Sequence, residues 1–429
     1  MKIAIFIDNE NIQGVDCRNL ENGNPGIGGT EYCILLLAQI YKKIYSDDEI
    51  VLFATTQGML PEVDTVEVIS DPLEIGRKFR QIQADMLLIS AVYRGEPLSQ
   101  EFFDMIDTNK IKTIFWGHNF YLSDFCNRIA KCSYAKANVF VGRQQYDRYL
   151  DHSVIKKSTY IYNMYPRSVY EARKENTNHA VTYIGSLVPP KGFHVLAQAW
   201  KSILAEVPDA ELNIIGSGKL YGRNSKLGRY GIADEEYEQQ FMAGLTDENG
   251  NIMPSVHFLG VLGEEKAEVI RKTCVGVVNP TGKTETFGIS ALDFESLGVP
   301  VVTIGKGGFL DTVIDHHTGL LYKRYDELVG NVVELLKDKE KNIRFGEEGI
   351  CLAESFAPQN IITQWHDLFE LVYRDKKPEY RVPDSFMGTN LKKYRALNRR
   401  IKNLCGIEYP LSVIGLESFA RKVLRKLGK

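Results

Sequence analysis

Glu285 and Asp293 stand in the stretch Asn279-Pro280-Thr281-Gly282-Lys283-Thr284-Glu285-Thr286-Phe287-Gly288-Ile289-Ser290-Ala291-Leu292-Asp293. The apolar run Val275 to Val278 reads as a strand and a helix starts near Gly288, so Glu285 lies just before the helix and Asp293 a little over one turn inside it. Two carboxylates so placed can face one ligand. Carboxylates accept hydroxyl protons, which suits a polyol such as a sugar or a ribose rather than a phosphate; a capping Glu and a solvated Asp is the plainer alternative. Gly282-Lys283-Thr284 has the end of a Walker loop, but position 277 is Val where that loop needs a second glycine, so the phosphate cradle is missing.

Tyr183 to Gly192 reads as strand, tight loop and helix start, which puts Lys191 at a helix N-terminus. A fixed ammonium beside free N–H groups suits a diphosphate, and a surface lysine would fit the same spacing. Ile214-Ile215-Gly216-Ser217-Gly218 ends the next strand as half of a dinucleotide fingerprint, without the third glycine or the downstream acid in register. In the first half, a strand ending at Asp8 leads into a loop with Gly23, Gly26, Gly28 and Gly29 before a helix near Thr30. Such a loop lets backbone approach a ligand at a helix N-terminus, or simply turns and caps. Trp116-Gly117-His118-Asn119 follows another strand and offers a polar pair at a carboxyl edge. Asp8-Asn9-Glu10 is the nearest thing to a carboxylate metal pair, and it suits hydroxyls equally.

The elements that must hold these residues alternate as short apolar runs and longer helical patterns almost from end to end, the pattern of βαβ units and parallel sheets. Strands are expected at Ile3 to Ile7, Ile50 to Phe53, Met86 to Ile89, Thr113 to Trp116 and Val139 to Val141. A second series follows at Val181 to Gly185, Leu212 to Gly216, Val256 to Leu259, Val275 to Val278 and Val299 to Ile304. A charged, Asn-rich stretch from Arg167 to His179 separates them. The expected organisation is therefore α/β, with a first lobe over 1–165, a second over 180–373 closed by helices at Glu327 to Leu336 and Gln359 to Tyr373, the latter placed to pack back across the interface, and a tail over 374–429. The 429 residues allow two cores, and 44% apolar with 25% charged residues excludes a largely disordered or collagen-like chain.

The total charge of −3 argues against a nucleic-acid-binding domain, yet residues 391–429 hold eleven Lys or Arg against two Glu. From Leu411 to Leu427, Ile414, Leu416, Phe419, Ala420, Val423, Leu424 and Leu427 recur at helical spacing, with Arg421, Lys422, Arg425 and Lys426 on the other face. This suits a helix on an anionic membrane surface, or a terminal helix docked on the protein. Seven cysteines without a CxxC pair argue against a zinc ribbon or a disulfide framework, and point to core cysteines in a reducing cytoplasm. A strand beginning at Lys2 leaves no signal-peptide pattern, and no apolar run reaches the ~18 residues of a membrane span.

In this order the elements resemble a retaining glycosyltransferase of the GT-B fold, family 4, over about Met1 to Tyr373. The specific parts are the Gly28-Gly29 loop, His118, Gly185 to Gly192 with Lys191, and Glu285 to Asp293 followed by Gly298-Val299-Pro300-Val301-Val302. The resemblance implies two Rossmann-like lobes with a cleft between them, a UDP- or GDP-sugar held mainly by the second, and a saccharide or lipid-linked acceptor held by the first. Lys191 would neutralise the donor diphosphate with N–H groups of Phe287, Gly288 and Ile289. Glu285 would hold hydroxyls of the transferred sugar, Asp293 the ribose, and Gly260-Val261-Leu262 would border the base. Gly28 and Gly29 would approach the diphosphate, with Ser186 and Gly216 also lining the donor, His118 beside the sugar, and Asp8, Glu10 and Asn119 toward the acceptor.

The acceptor would attack the face that the phosphate leaves and the leaving phosphate would take its proton, so no protein nucleophile, bound cofactor or metal is required. Two departures stand out: Asp293 where the family's second acid is Glu, and Ser186 where many members have Arg, leaving the second cation to Lys191, Lys219 or Arg223. The activity would serve surface polysaccharide or glycolipid synthesis, in the cytoplasm or peripherally at the inner face of the cell membrane, with residues 391–429 on the anionic surface. The alternatives are a nucleotide-sugar epimerase, a phosphorylase with its pyridoxal cofactor, or a non-catalytic nucleotide-sugar-binding protein.

Overall fold

The computed structural model describes residues 1–166, 171, 172, 178–218, 226–379, 382, 383, 387–408 and 411–426. The chain divides into two units: Met1–Leu20, Gly29–Met164 and Pro358–Lys429 form one, and Glu21–Gly28 with Tyr165–Ala357 the other.

The first unit is built on β1 (Lys2–Ile7), β2 (Glu49–Ala54), β3 (Thr65–Val68) and β4 (Met86–Ser90), then, past a short antiparallel hairpin of β5 (Val92–Tyr93) and β6 (Glu96–Pro97), on β7 (Thr113–Gly117), β8 (Ala135–Phe140) and β9 (Ser158–Tyr160). The large sheet has the order β3-β2-β1-β4-β7-β8-β9, and every pairing is parallel. Strands such as Lys2–Ile7 and Met86–Ser90 are apolar on both faces because helices cover both sides of a parallel sheet.

The second unit repeats the plan with β10 (Ala180–Ile184), β11 (Glu211–Ile215), β12 (Val256–Gly260), β13 (Val275–Val278), β14 (Val301–Ile304) and β15 (Gly319–Tyr322), in the order β12-β11-β10-β13-β14-β15, all parallel. Both sheets reverse their winding direction beside the first strand, between β1 and β4 and between β10 and β13. Ligands in open α/β sheets bind beyond the carboxyl ends of strands at such a reversal. Each expected strand is present with ends shifted by a few residues. The short strands that sequence does not announce, β3, β9 and β15, lie at sheet edges, where a long apolar run is not needed.

The segmentation is less contiguous than sequence suggests. The helix Pro358–Tyr373, expected to close the second lobe and to pack back toward the first, belongs to the first unit: Trp365 lies edge-on to Trp116 with ring centroids 4.6 Å apart, and Tyr41 Oη bonds His366 Nδ1 at 2.8 Å. Glu21–Gly28, expected with the first lobe, groups with the second unit.

The tail also departs from expectation. Its helix Lys392–Cys405 turns a polar stripe inward, burying Lys392, Arg395, Asn398, Arg399 and Lys402. Lys392 Nζ meets Asp147 Oδ2 at 3.0 Å with both side chains at 0% exposure. Asp151, also fully buried, accepts from Arg395 Nη1 at 3.1 Å, Asn398 Nδ2 at 3.0 Å and the Val413 N–H at 2.7 Å, and its backbone carbonyl accepts from Lys402 Nζ. Four of the cations expected at a membrane surface are thus internal ion-pair partners. In the following helix, Val413–Lys426, Ile414 is buried, whereas Leu416, Phe419, Val423 and Leu424 are exposed. Leu427 lies outside the described residues, as do the side chains of Arg425 and Lys426.

Five cysteines are buried and Cys351 and Cys405 are exposed; all seven are free thiols. Among the described residues no helix is long and apolar enough to cross a membrane.

Candidate functional site

Lys191 and Glu285 meet at the reversal point of the second sheet. Val188 to Gly192 follows β10 as a single tight turn, Pro189–Lys191, whose prolines fix the backbone before the helix Phe193–Glu206. The loop after the neighbouring strand β13 carries Glu285. Three bonds lock the two loops to each other and to the sheet: Tyr183 Oη donates to the Lys191 carbonyl at 3.0 Å, Thr281 Oγ1 to the Pro190 carbonyl at 3.0 Å, and Tyr322 Oη to the Pro280 carbonyl at 2.7 Å. Lys191 Nζ then donates to Glu285 Oε2 at 3.0 Å, with side-chain exposures of 26% and 13%.

Asn279 Nδ2 donates to the same Oε2 at 3.3 Å, and the Gly288 N–H to Oε1 at 3.1 Å. Burial pushes the Glu285 carboxyl toward its neutral form, but the Lys191 ammonium and these bonds outweigh it and hold the pKa below the ordinary glutamate value. The result is a fixed carboxylate with an ammonium beside it. Gly288 is required here: its φ of 89° is left-handed, and a Cβ would sit 2.7 Å from Phe309 Cδ1 and 2.8 Å from Thr312 Oγ1. Of the N–H groups expected at a diphosphate, that of Gly288 is donated to Glu285 instead. Phe287 is buried with its ring 5.4 Å from Phe356, and Ile289 is the first residue of the short helix Ile289–Glu295.

Asp293, buried on that helix, is also held by a cation. Lys266 Nζ lies 2.8 Å from Oδ1, and Tyr165 Oη donates to the same oxygen at 3.1 Å. Both carboxylates singled out from sequence therefore carry an ammonium partner within this unit, and each keeps lone pairs for hydroxyl donors. Sequence spacing gave no signal for Lys266 or Tyr165. Asn279 stood in the quoted stretch without a role.

Gly216 closes the β11 end. Its N–H donates to the Gly260 carbonyl at 2.8 Å, its φ is 144°, and a Cβ would fall 2.0 Å from the Gly185 carbonyl oxygen. Only glycine lets these strand ends approach. Ser186 lies half-buried between Gly185 and Leu187, whose N–H groups bond Ile215 and Ser217. Val261 is exposed and Leu262 half-buried beyond β12. A Cβ on Gly26 would lie 3.1 Å from Val261 Cγ1, so the glycine loop of the N-terminal segment lies against the edge that was expected to border the base. Gly28 ends that segment, while Gly29 opens the helix Gly29–Ile44 of the first unit. Lys219 and Arg223 lie outside the described residues.

In the first unit the expected acceptor residues follow β1 and β7. His118 is buried against Trp116, ring centroids 4.4 Å apart, and burial lowers its pKa to about 3 against the opposing bond with Asn163, so its ring is neutral. Gln145 Nε2 donates to the carbonyls of Gly117 and Asn119 and fixes their loop, leaving Asn119 exposed. Asp8 Oδ1 accepts from Thr55 Oγ1 at 3.1 Å, and Glu10 is exposed and pairs with Arg94 at 2.7 Å. Two further residues belong to this edge. Asn9 is fully buried and cross-links to Thr55 and Thr56, and Glu31, in the first turn of Gly29–Ile44, has its pKa raised by burial and by Asp8. Among the described residues no three His, Cys, Asp or Glu side chains are grouped to hold a metal ion.

Residues 167–350, which include Lys191, Glu285, Lys266 and Asp293, match the family described as glycosyl transferases group 1. An uncharacterised glycosyltransferase of Methanocaldococcus jannaschii is 23% identical over 52% of this chain and 56% of its own. A D-inositol 3-phosphate glycosyltransferase of Corynebacterium aurimucosum is 27% identical over 44% of this chain and 42% of its own. The chain thus spans about half the length of the curated relatives it matches. Among solved structures, Anabaena HepE in complex with UDP-glucose superposes over 86% of this chain and 99% of its own with a TM-score of 0.62 at 16% identity. The sucrose-phosphate synthase of Thermosynechococcus elongatus covers 87% and 99% with a TM-score of 0.63 at 15% identity. The two-unit α/β architecture is that of GT-B glycosyltransferases.

Proposed function

We propose that this chain is a retaining glycosyltransferase that transfers a hexose from a UDP- or GDP-sugar to a saccharide or lipid-linked acceptor in surface polysaccharide or glycolipid synthesis. The observation that carries the reading is the Lys191–Glu285 pair, at the sheet reversal and inside the span that matches glycosyl transferases group 1. In this reading Lys191 turns its ammonium to the donor diphosphate, Glu285 accepts from hydroxyls of the transferred sugar, and Asp293 accepts from the ribose. Charge fixed before the donor arrives costs no reorganisation when the sugar develops positive character and the diphosphate negative. A neutral His118 suits a group that contacts a sugar without adding charge. Asp8, Glu10 and Asn119 offer acceptors and an amide to the incoming saccharide, and a lipid-linked acceptor would place the enzyme at the inner face of the cell membrane.

Thermal-shift titration with UDP, GDP, ADP and CMP and their sugar conjugates tests the donor site, because a ligand that binds the folded state raises the melting temperature. One nucleotide series is expected to shift the wild type, the shift to vanish in Lys191→Ala, and Glu285→Ala to abolish sugar transfer. Product anomer analysis reads the stereochemistry. A shift without any turnover would favour a nucleotide-sugar-binding protein, and no shift with any nucleotide would overturn the donor assignment.

A further inference from the structure

The helix Lys392–Cys405 is inside out. Its basic stripe faces inward to Asp147 and Asp151, so the opposite face, Tyr394, Leu397, Ile401 and Leu404, points to solvent; Leu397 is 57% and Leu404 85% exposed. The next helix continues the same surface chemistry with Leu416 and with Phe419 at 63% exposure. Scattered surface leucines need no explanation, but an apolar stripe along one helix, held outward by a buried ion network and followed by a helix that exposes further apolar residues, is costly in water and marks an interaction surface.

The charges around it select the occupant. Lys393, Arg400 and Arg421 are exposed and, among the described residues, enter no ion pair; Lys422 is exposed and touches only the exposed Asp124. Both acids within 391–429 are committed elsewhere, Glu408 to Arg399 and Lys156 and Glu417 to Arg148. The outward field of the stripe is therefore positive. A symmetric contact between two copies would bring these cations to both sides of one seam. An anionic lipid surface complements them while its acyl region takes the leucines.

We infer that the outward face of the tail helices inserts shallowly into an anionic bilayer, with the apolar residues of Lys392–Cys405 as the wedge and Lys393, Arg400 and Arg421 at the headgroups. This goes beyond the glycosyl-transfer reading and does not depend on it. It also replaces simple electrostatic adsorption by the tail's many cations, since four of them are internal.

The test is flotation of the full chain with phosphatidylcholine vesicles, with and without phosphatidylglycerol. Binding to the anionic vesicles is expected to persist in part at high salt, where screening removes the electrostatic share. The triple variant Leu397→Glu, Leu404→Glu, Phe419→Glu should bind at least tenfold more weakly at an unchanged melting temperature, because none of the three is buried. The variant Lys393→Gln, Arg400→Gln, Arg421→Gln should lose the preference for phosphatidylglycerol. Since Trp116, Trp200 and Trp365 are fully buried, Phe419→Trp adds the one exposed indole, whose emission should shift to the blue with anionic vesicles. Wild-type protein that does not float, or a glutamate variant that floats as well as wild type, overturns the proposal. So does a dimer in sedimentation equilibrium that the glutamate variant splits without any vesicle binding, which would give the face to a second copy.

Discussion

At Glu285, burial and its neighbours pull the carboxyl in opposite directions, and the neighbours win with Lys191 the largest among them. A carboxyl whose folded pKa lies below its unfolded value adds stability that is present above the unfolded pKa, roughly 4.3, and is lost as pH falls through the lowered folded value. Replacing Lys191 by Met leaves a buried carboxylate short of its cation, so ligand-free Lys191→Met is expected to lose about 1–3 kcal/mol at pH 7. The loss should shrink as pH falls, starting above the ordinary glutamate value, because burial without the ammonium raises the variant's carboxyl and the protonated acid no longer needs Lys191. Urea unfolding of both proteins between pH 7 and pH 4 checks this, and a pH-independent difference would refute the pairing. Each of the two residues stood out in sequence because it sits in a loop tied to its own strand, but sequence assigned them to different parts of a ligand and did not foretell that neighbouring strands bring their side chains together. Lys266 was not legible. Its meeting with Asp293 depends on the packing of the helices Lys266–Arg271 and Ile289–Glu295, which no spacing rule encodes.

An amphipathic pattern at the scale of one helix states that two faces differ and leaves open which turns inward. The tail helix Lys392–Cys405 shows the consequence: its partner surface offers Asp147 and Asp151 at 0% exposure, so the cations go in and the leucines go out. The strands were readable because a run buried on both sides has no such ambiguity, and the edge strands were lost because they lack the run. Asp151 is the hinge pin of the arrangement, joining Arg395, Asn398 and the start of Val413–Lys426. Asp151→Ala leaves the buried Arg395 with only the partly exposed Glu417, 4.0 Å away, as an acid, and stripping one partner from a buried pair costs about 3–5 kcal/mol. Asp151→Asn keeps part of the hydrogen bonding and should lose less. Chemical denaturation of the full chain measures both. A loss below that of an ordinary surface substitution would show that the tail is not anchored as described.

Length and βα alternation foretell two sheets in the whole molecule and a late helix that packs back toward the first, but not that the tail after it completes the first unit as well. Contiguous reading fails here because the chain leaves the first unit at Met164, builds the second through Ala357, and returns. What it returns with is part of a core: Trp365 against Trp116, then the cations that neutralise Asp147 and Asp151. Without residues 358–429, the fragment 1–164 would lose the buried Lys392 beside Asp147, the buried Arg395 beside Asp151 and the Trp365 ring against Trp116. It is therefore expected to lack cooperative urea unfolding on its own, and to regain it when co-expressed with 358–429. The fragment 165–357 keeps its own six-stranded sheet and the Lys191–Glu285 and Lys266–Asp293 pairs, and lacks only Glu21–Gly28 of its unit. It should unfold cooperatively by itself and retain the nucleotide-dependent thermal shift at reduced affinity. Far-ultraviolet circular dichroism during urea titration of the fragments decides the matter: a sigmoidal transition for 1–164 alone would mean that the C-terminal segment decorates the first unit rather than completing it.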